Sequence, residues 1–118
     1  MFKHKETGAK GEQEAVKFLQ NNKYEILHCN WRNDKKEVDI IALKDKLLVF
    51  VEVKTRKNLA FGFPEEAVTI KKQQTLKAAA DAFLQQNEQY CRLRFDIISI
   101  IMKGNTIEEI KHIEDAFY

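Results

Sequence analysis

Two strand-forming segments joined by a very short polar turn constrain the fold of this chain more than any other feature. The segments are 37–44, EVDIIALK, and 47–54, LLVFVEVK, and only Asp45-Lys46 separates them. A two-residue turn fixes the register of the whole hairpin, whereas a turn of odd length would change which side chains share a face. The second segment is almost continuously apolar, so we predict a central strand that is covered on both faces.

The segments around this hairpin predict two helices and three more strands. Apolar residues three and four positions apart predict helices, and alternating or continuous apolar runs predict strands. In chain order we predict a helix over 7–21, a strand over 24–32, the hairpin strands 37–44 and 47–54, a loop over 55–66, a helix over 67–87, and strands over 94–102 and 106–113. The order α-β-β-β-α-β-β predicts an α/β fold, a mixed β-sheet flanked by helices, in a single domain spanning 1–118.

Composition limits the class of protein further. Hydrophobic residues make up 44% of the 118 residues, which is enough for one small core. No apolar run approaches the roughly 20 residues that cross a bilayer, and the N-terminus has no signal-peptide pattern. Cys29 and Cys91 have neither a zinc-ligand nor a disulfide-scaffold spacing, so we expect a cytoplasmic protein without membrane association. The net charge of +2 permits nucleic-acid binding without arguing for it.

Four charged side chains converge where the predicted hairpin ends. The register places Asp39 opposite Glu52 and Glu37 opposite Lys54. Facing carboxylates repel each other, and a divalent cation would compensate them; carboxylate oxygens suit Mg²⁺ or Mn²⁺. Lys54 would then position water or stabilise charge on a phosphate. The alternative is a solvated cross-strand ion-pair face without any ligand.

Another acidic residue lies on the first predicted helix. Glu12 shares the apolar stripe of that helix with Ala15 and Leu19. A carboxylate on the core-facing side needs a partner, because burying an unpaired charge is unfavourable. The partner is either a lysine or the metal site, where Glu12 would be a third acidic ligand. Gly8 and Gly11 on the same side would let the helix approach the sheet closely.

Basic residues near the predicted site indicate phosphate contacts. Arg56 directly follows the Glu-x-Lys end of the strand, Arg32 ends the strand before the hairpin, and Lys71 and Lys72 open the second helix. A helix start that bears lysines can hold a phosphate. A solvated charged face is the alternative for Lys71 and Lys72.

Asp96 and the three histidines are not assigned to the predicted site. Asp96 interrupts an otherwise apolar strand just after Arg94, and we expect it to pair with an arginine or a lysine. His4, His28 and His112 have no ligand-like spacing, and no chemistry is predicted for them.

Six segments of the chain together resemble one protein family. The chain resembles the YraN-like small bacterial proteins in GAKGEQEAVKFL, ILHCNWR, EVDIIA, LLVFVEVKTR, FGFPEEAV and RFDIISI, in this order and spacing. Those proteins look related to archaeal Holliday-junction resolvases and to the wider restriction-endonuclease-like nuclease superfamily. The resemblance extends from about Gly8 to Phe117, so it implies a restriction-endonuclease-like fold for nearly the whole chain.

The resemblance also implies roles for individual residues. Asp39, Glu52 and Lys54 match the core nuclease residues of the superfamily. Glu12 matches the acidic residue on the leading helix of the resolvase-like branch. As implied metal ligands these positions provide three carboxylates, with Lys54 as the accompanying cation.

Glu37 is a further implied ligand with one departure beside it. It matches an acidic position that the YraN-like pattern writes as Gly-Glu-hydrophobic-Asp. Lys36 stands where that pattern has glycine, so the chain departs from a glycine-dependent backbone before Glu37, whereas both carboxylates are in place.

The residues and the resemblance together predict a metal-dependent endonuclease-like protein. It would hydrolyse phosphodiester bonds in DNA or structured nucleic acid, with Mg²⁺ or Mn²⁺ as cofactor. DNA is expected ahead of RNA, and the junction-cleaving relatives imply a homodimer. The competing prediction is a non-catalytic nucleic-acid-binding module that keeps the nuclease fold. A third is a structural partner of a larger complex, in which lysines satisfy the acidic cluster.

Overall fold

The computed structural model describes residues 3–57 and 68–117, with the backbone alone for 3–7. Two helices and five strands follow one another in this part of the chain. Their bounds are α1 Lys3–Asn21, β1 Glu25–Asn33, β2 Lys36–Lys44, β3 Leu47–Arg56, α2 Ile70–Gln86, β4 Leu93–Lys103 and β5 Thr106–Phe117. The predicted element order, α-β-β-β-α-β-β, is confirmed.

The five described strands lie in one sheet, in the order β1-β2-β3-β4-β5. Neighbouring strands are antiparallel except β3 and β4, which are parallel. A parallel pair needs a crossover connection, and α2 lies in the chain between these two strands. The predicted fold class, a mixed sheet flanked by two helices, is therefore confirmed.

The β2–β3 hairpin has the predicted turn and register. Asp45 and Lys46 both have positive φ, 52° and 68°, as a two-residue type I′ turn requires. The ladder runs from this turn to the Ile40–Val51 pair without a shift. The short turn therefore sets the facing of the two strands, as the sequence predicted.

Both faces of β3 are buried, which confirms its prediction as a central strand. Its odd-numbered side chains pack in the cluster that includes α1, and its even-numbered side chains pack in the cluster that includes α2. The α1 cluster includes Ala15, Leu19, Val49 and Val51, and the α2 cluster includes Leu48, Phe50, Leu76, Ala79, Ala80 and Phe83. Glu52 and Lys54 continue the even-numbered row, so alternation directs them toward the α2 side of the sheet.

The elements on either side of the 58–67 gap have boundaries that differ from the predicted ones. β3 continues to Arg56 rather than ending at residue 54, because Thr55 and Arg56 pair with the parallel strand β4. α2 begins at Ile70 rather than near residue 67. The Thr69 side chain caps it by accepting a hydrogen bond from the Lys72 backbone N–H at 3.2 Å, which stabilises the helix start.

The first and last elements are longer than predicted. α1 begins at Lys3 rather than near residue 7, and β5 continues to Phe117 rather than ending near residue 113. The β4–β5 register shifts between Phe95 and Ile97, and a bulge there lets Phe95 pair with Phe117. Residues 58–66 of the predicted loop lie outside the described residues. Across 3–57 and 68–117, neither helix is long and apolar enough to cross a membrane.

Candidate functional site

The candidate site lies where β2 and β3 separate. Their ladder ends at the Ile40–Val51 pair, and the next interaction is a hydrogen bond from the Val53 backbone N–H to Asp39 Oδ2 at 2.9 Å. The alternation of β2 is irregular at this point, because Val38 packs in the α2 cluster although Ile40 packs in the α1 cluster. The strands therefore open at Asp39, and side chains from both faces of the sheet can reach the opening.

Two predicted cross-strand pairs are altered by this opening. Among the described ladder pairs, Asp39 does not face Glu52 and Glu37 does not face Lys54, so the prediction of direct pairing was wrong. The physical reason is a side-chain hydrogen bond. The Val53 N–H of β3 donates to the Asp39 carboxylate, whereas in a continuous ladder it would donate to a backbone carbonyl oxygen of β2. Glu37 instead faces Arg32 on β1, with Oε2 3.9 Å from the arginine Nε.

Glu52 is the most buried acidic group of the site. Its side chain is 3% exposed, and Oε2 lies 3.4 Å from Lys54 Nζ and 3.6 Å from Lys72 Nζ. The other oxygen, Oε1, has no hydrogen-bond partner among the described residues. Glu52 therefore has one oxygen between two ammonium groups and a second oxygen that is buried and unsatisfied.

Asp39 interacts strongly with Glu52 although the two are not a ladder pair. Burial and then the negative charge of Glu52 raise the pKa of Asp39 from 3.8 to about 7, and the charge of Glu12 adds to this. The hydrogen bond from Val53 and the positive charge of Lys72 oppose the increase. A carboxyl group with a pKa near neutrality, raised by burial and a second carboxylate, is typical of functional sites.

Glu12 approaches the same carboxylates from α1, because Gly11 lets the helix lie against the end of β3. A Cβ on Gly11 would lie 3.2 Å from the Thr55 Cβ and closer still to its hydroxyl oxygen, so only glycine fits without a shift. Gly8 was predicted to share this role, and that prediction was wrong: no described atom lies within 4 Å of its Cβ position.

The electrostatics of Glu12 identify its neighbours. Burial raises its pKa, a hydrogen bond with the Asn30 side chain opposes the increase, and the charges of Glu37 and Glu52 add to it. Asn30 has a positive φ of 53° inside β1, a conformation that asparagine tolerates better than most residues. No sequence pattern points to Asn30, because neither its type nor its spacing differs from that of an ordinary strand residue.

The predicted nucleic-acid contacts occupy different environments. Lys72 contacts Glu52, and Arg32 contacts Glu37. Arg56 is half-buried and donates a hydrogen bond from Nη1 to the Thr55 carbonyl oxygen at 3.1 Å. Lys71 is exposed.

The donor set suits a hard divalent cation, although the side chains do not form a ready-made cage. In the described part of the chain, no three acidic, histidine or cysteine side chains are grouped closely enough to ligate one ion. The fit comes from chemistry instead: the buried Oε1 of Glu52 needs a positively polarised partner, and Asp39 and Glu12 supply further oxygens nearby. Closing around an ion would require rotation of these side chains.

A second polar cluster lies on β4 and β5, and the sequence predicted only its Asp96–arginine pair. Asp96 is fully buried and accepts hydrogen bonds from Arg94 at 2.7 and 2.8 Å and from the Asp115 N–H at 3.0 Å. His112 Nε2 lies 2.7 Å from the same carboxylate, and Arg94 also donates to Tyr24. The predicted pairing of Asp96 with an arginine is confirmed, whereas no spacing in the sequence indicated His112.

This fold and this site define a mixed α/β protein in which buried carboxylates and lysines meet where two central strands separate. The chain belongs to the uncharacterised protein family UPF0102, whose model matches residues 11–100. A UPF0102 protein of Caldicellulosiruptor saccharolyticus is 47% identical over 115 residues, which cover 96% of this chain and 98% of that protein. One of Phocaeicola vulgatus is 46% identical over 118 residues, covering 100% and 97%. The resemblance to YraN-like proteins is confirmed at the level of this family.

Proposed function

We propose that this protein is a metal-dependent endonuclease-like hydrolase acting on phosphodiester bonds of DNA or structured nucleic acid. The observation that carries the proposal is Glu52, whose side chain is 3% exposed and whose Oε1 has no partner among the described residues. Leaving a buried polar atom unpaired costs about 1–3 kcal/mol, and more for a charged one. Such an atom in a native chain calls for an explanation, and an ion that completes its coordination is one.

The proposed roles follow from the positions of the residues. Asp39 and Glu52 would hold Mg²⁺ or Mn²⁺, and Glu12 would assist directly or through water. An ion bound there supplies a water of lowered pKa and polarises the phosphate. Lys54 lies 3.4 Å from Glu52, which suits it to orient that water or to stabilise charge on the phosphate. Glu37 would have to leave its ion pair with Arg32 to become a further ligand.

Nucleic acid is the substrate class that fits the surrounding cations. Lys72 contacts Glu52 and Arg32 contacts Glu37, while Arg56 and Lys71 lie two residues after Lys54 and directly before Lys72 in the chain. Such residues contact backbone phosphates. The resemblance to Holliday-junction resolvases favours DNA over RNA and a homodimer, which would act in the cytoplasm without a membrane. A four-way junction with two equivalent strands suits a two-fold symmetric enzyme.

A cleavage assay with matched variants tests the proposal. We would incubate the protein with Mn²⁺ or Mg²⁺ and with linear, single-stranded, flapped and four-way-junction DNA. Asp39→Asn and Glu52→Gln should lose cleavage, because each removes a ligand charge without changing side-chain size. Asp45→Asn, in the turn at the opposite end of the same hairpin, is the control and should cleave like the wild type.

Two results of this assay would contradict the proposal. Cleavage that persists in both Asp39→Asn and Glu52→Gln would point to a contaminating nuclease. Absence of cleavage on every substrate with both metals, in a protein that binds no Mn²⁺, would remove the proposed activity and its metal site together.

One observation favours a second candidate, a nucleic-acid-binding module that does not cleave. Lys54 and Lys72 already contact Glu52, so part of the acidic charge is compensated within the chain. A module of this kind would bind the same DNA panel with an affinity that falls with salt. Binding that is indifferent to Mn²⁺ and to Asp39→Asn, without any cleavage, would favour it over the enzyme.

A further inference from the structure

We propose that Lys72 is the resident counter-cation of Glu52 and that its ion pair and metal binding are mutually exclusive. Metal binding would release the Lys72 ammonium from Glu52 and leave it free to contact a substrate phosphate. This inference rests on the proposed metal site and adds a residue that sets its affinity.

The Lys72 ammonium lies beside the carboxylate that an incoming cation would have to bind. Its Nζ lies 3.6 Å from Glu52 Oε2, and its charge also lowers the pKa of Asp39. Lys72 therefore pairs with one of the carboxylates that would hold the ion and acts electrostatically on the other. Its backbone is fixed, because its N–H donates to the Thr69 hydroxyl at the start of α2. Only the flexible side chain has to move.

Lys72 is better placed to leave than Lys54. Lys54 follows Glu52 by two residues on the same strand, so alternation keeps the two side chains adjacent. Its side chain is 25% exposed, whereas that of Lys72 is 37% exposed and comes from a helix. A long lysine side chain that already reaches water can turn outward with little loss of packing.

Charge balance favours the exchange. Glu12, Asp39 and Glu52 carry three negative charges when ionised, and Lys54 and Lys72 carry two positive ones. A divalent ion added with both lysines in place would make the group positive, whereas the same ion with Lys72 released leaves it neutral. Two cations a few ångströms apart in a partly buried site repel strongly, so we expect the pair with Lys72 to oppose the ion.

The test measures Mn²⁺ affinity by calorimetry without nucleic acid, so the readout does not depend on cleavage. Lys72→Met keeps the length of the side chain and removes its charge, and Mn²⁺ should bind about tenfold more tightly. Lys72→Arg keeps the charge and should bind Mn²⁺ like the wild type. Lys46→Met removes the charge of an exposed lysine in the turn at the other end of the hairpin and should change the affinity by less than about twofold, because distant exposed charges are screened.

The outcomes separate this inference from the proposed function. If the wild type binds Mn²⁺ and Lys72→Met binds it equally or more weakly, the exchange is refuted while the metal site stands. If neither protein binds Mn²⁺, both fail. Should Lys72→Met unfold, Lys72→Gln removes the charge with a polar side chain, and tighter Mn²⁺ binding by that variant would support the exchange.

Discussion

Asparagine at position 39 should remove a pH dependence of stability that the native carboxyl group imposes. In the folded protein the pKa of Asp39 is raised from 3.8 to about 7, so the folded state binds the proton more tightly than the unfolded state. The resulting stabilisation is complete below the unfolded pKa of 3.8 and is lost as the pH rises through about 7. The metal-free protein should therefore become less stable across this window.

The size of the effect follows from the same pKa values. A rise from 3.8 to about 7 corresponds to about 4 kcal/mol at about 1.4 kcal/mol per pH unit. Between about pH 5 and about pH 8 the wild type should lose the part of this stabilisation that falls below the folded pKa of about 7, which is about 2–3 kcal/mol. Asp39→Asn cannot ionise, and its amide oxygen can still accept the Val53 hydrogen bond, so the variant should lack this loss.

Urea unfolding in the presence of a chelator measures the difference. Wild type and Asp39→Asn would be compared at about pH 5 and about pH 8, where the carboxyl is mostly protonated and mostly ionised, respectively. The difference in unfolding free energy between the two proteins should change with pH by about 2–3 kcal/mol. An equal change in both proteins, with no difference between them, would refute the burial and the Glu52 repulsion as the source of the shift.

Four further substitutions test the packing and the buried polar contacts of the fold. Gly11→Ala should destabilise the protein by about 1–3 kcal/mol through its contact with Thr55. Gly8→Ala, with no described atom nearby, should instead stabilise α1 by up to about 1 kcal/mol. Thermal unfolding of the two variants should therefore give shifts of opposite sign. Asp96→Asn should cost about 3–5 kcal/mol in urea unfolding near neutral pH, because Arg94 loses its buried partner. The pKa of Asp96 is lowered, since the hydrogen bonds from His112 and Arg94 outweigh the effect of burial, so the wild-type advantage over Asp96→Asn should be present above pH 3.8 and shrink as the pH falls below it. Phe83→Ala should cost about 3–5 kcal/mol by the same unfolding assay, because this 2%-exposed ring holds the α2 cluster together; a cost under about 1 kcal/mol would contradict the packing.

Sequence reasoning succeeded where a local rule decides the structure. The type I′ turn at Asp45-Lys46 fixes the hairpin register, and the apolar run of β3 requires cover on both faces. The predicted pairing failed beyond Ile40. An ideal ladder assumes that every backbone N–H pairs with a backbone carbonyl, whereas the Val53 N–H donates to the Asp39 side chain. Register alone could place the carboxylates near one another, but not the opening between the strands.

Long-range contacts explain the other differences. Lys72 was predicted to contact phosphate, and its ion pair with Glu52 depends on how the start of α2 sits over β3, which no local pattern encodes. The parallel pairing that extends β3 to Arg56 depends on β4, whose first residue lies at position 93. Asn30 and His112 likewise acquire partners only through folding.

The sheet buries carboxylates in two places, and the two groups differ in their hydrogen bonding and in the direction of their pKa shifts. Asp96 is enclosed by hydrogen bonds from Arg94, His112 and the Asp115 N–H, and its pKa is lowered. Glu52 keeps an oxygen without a described partner, and the pKa of the neighbouring Asp39 is raised to about 7. Because the same sheet satisfies Asp96 completely, the unpaired Oε1 of Glu52 is a local feature of the opening between β2 and β3. Sequences depart from full polar satisfaction mainly at functional sites, so the contrast supports the proposed ligand-binding role of Asp39 and Glu52 and a structural role for Asp96.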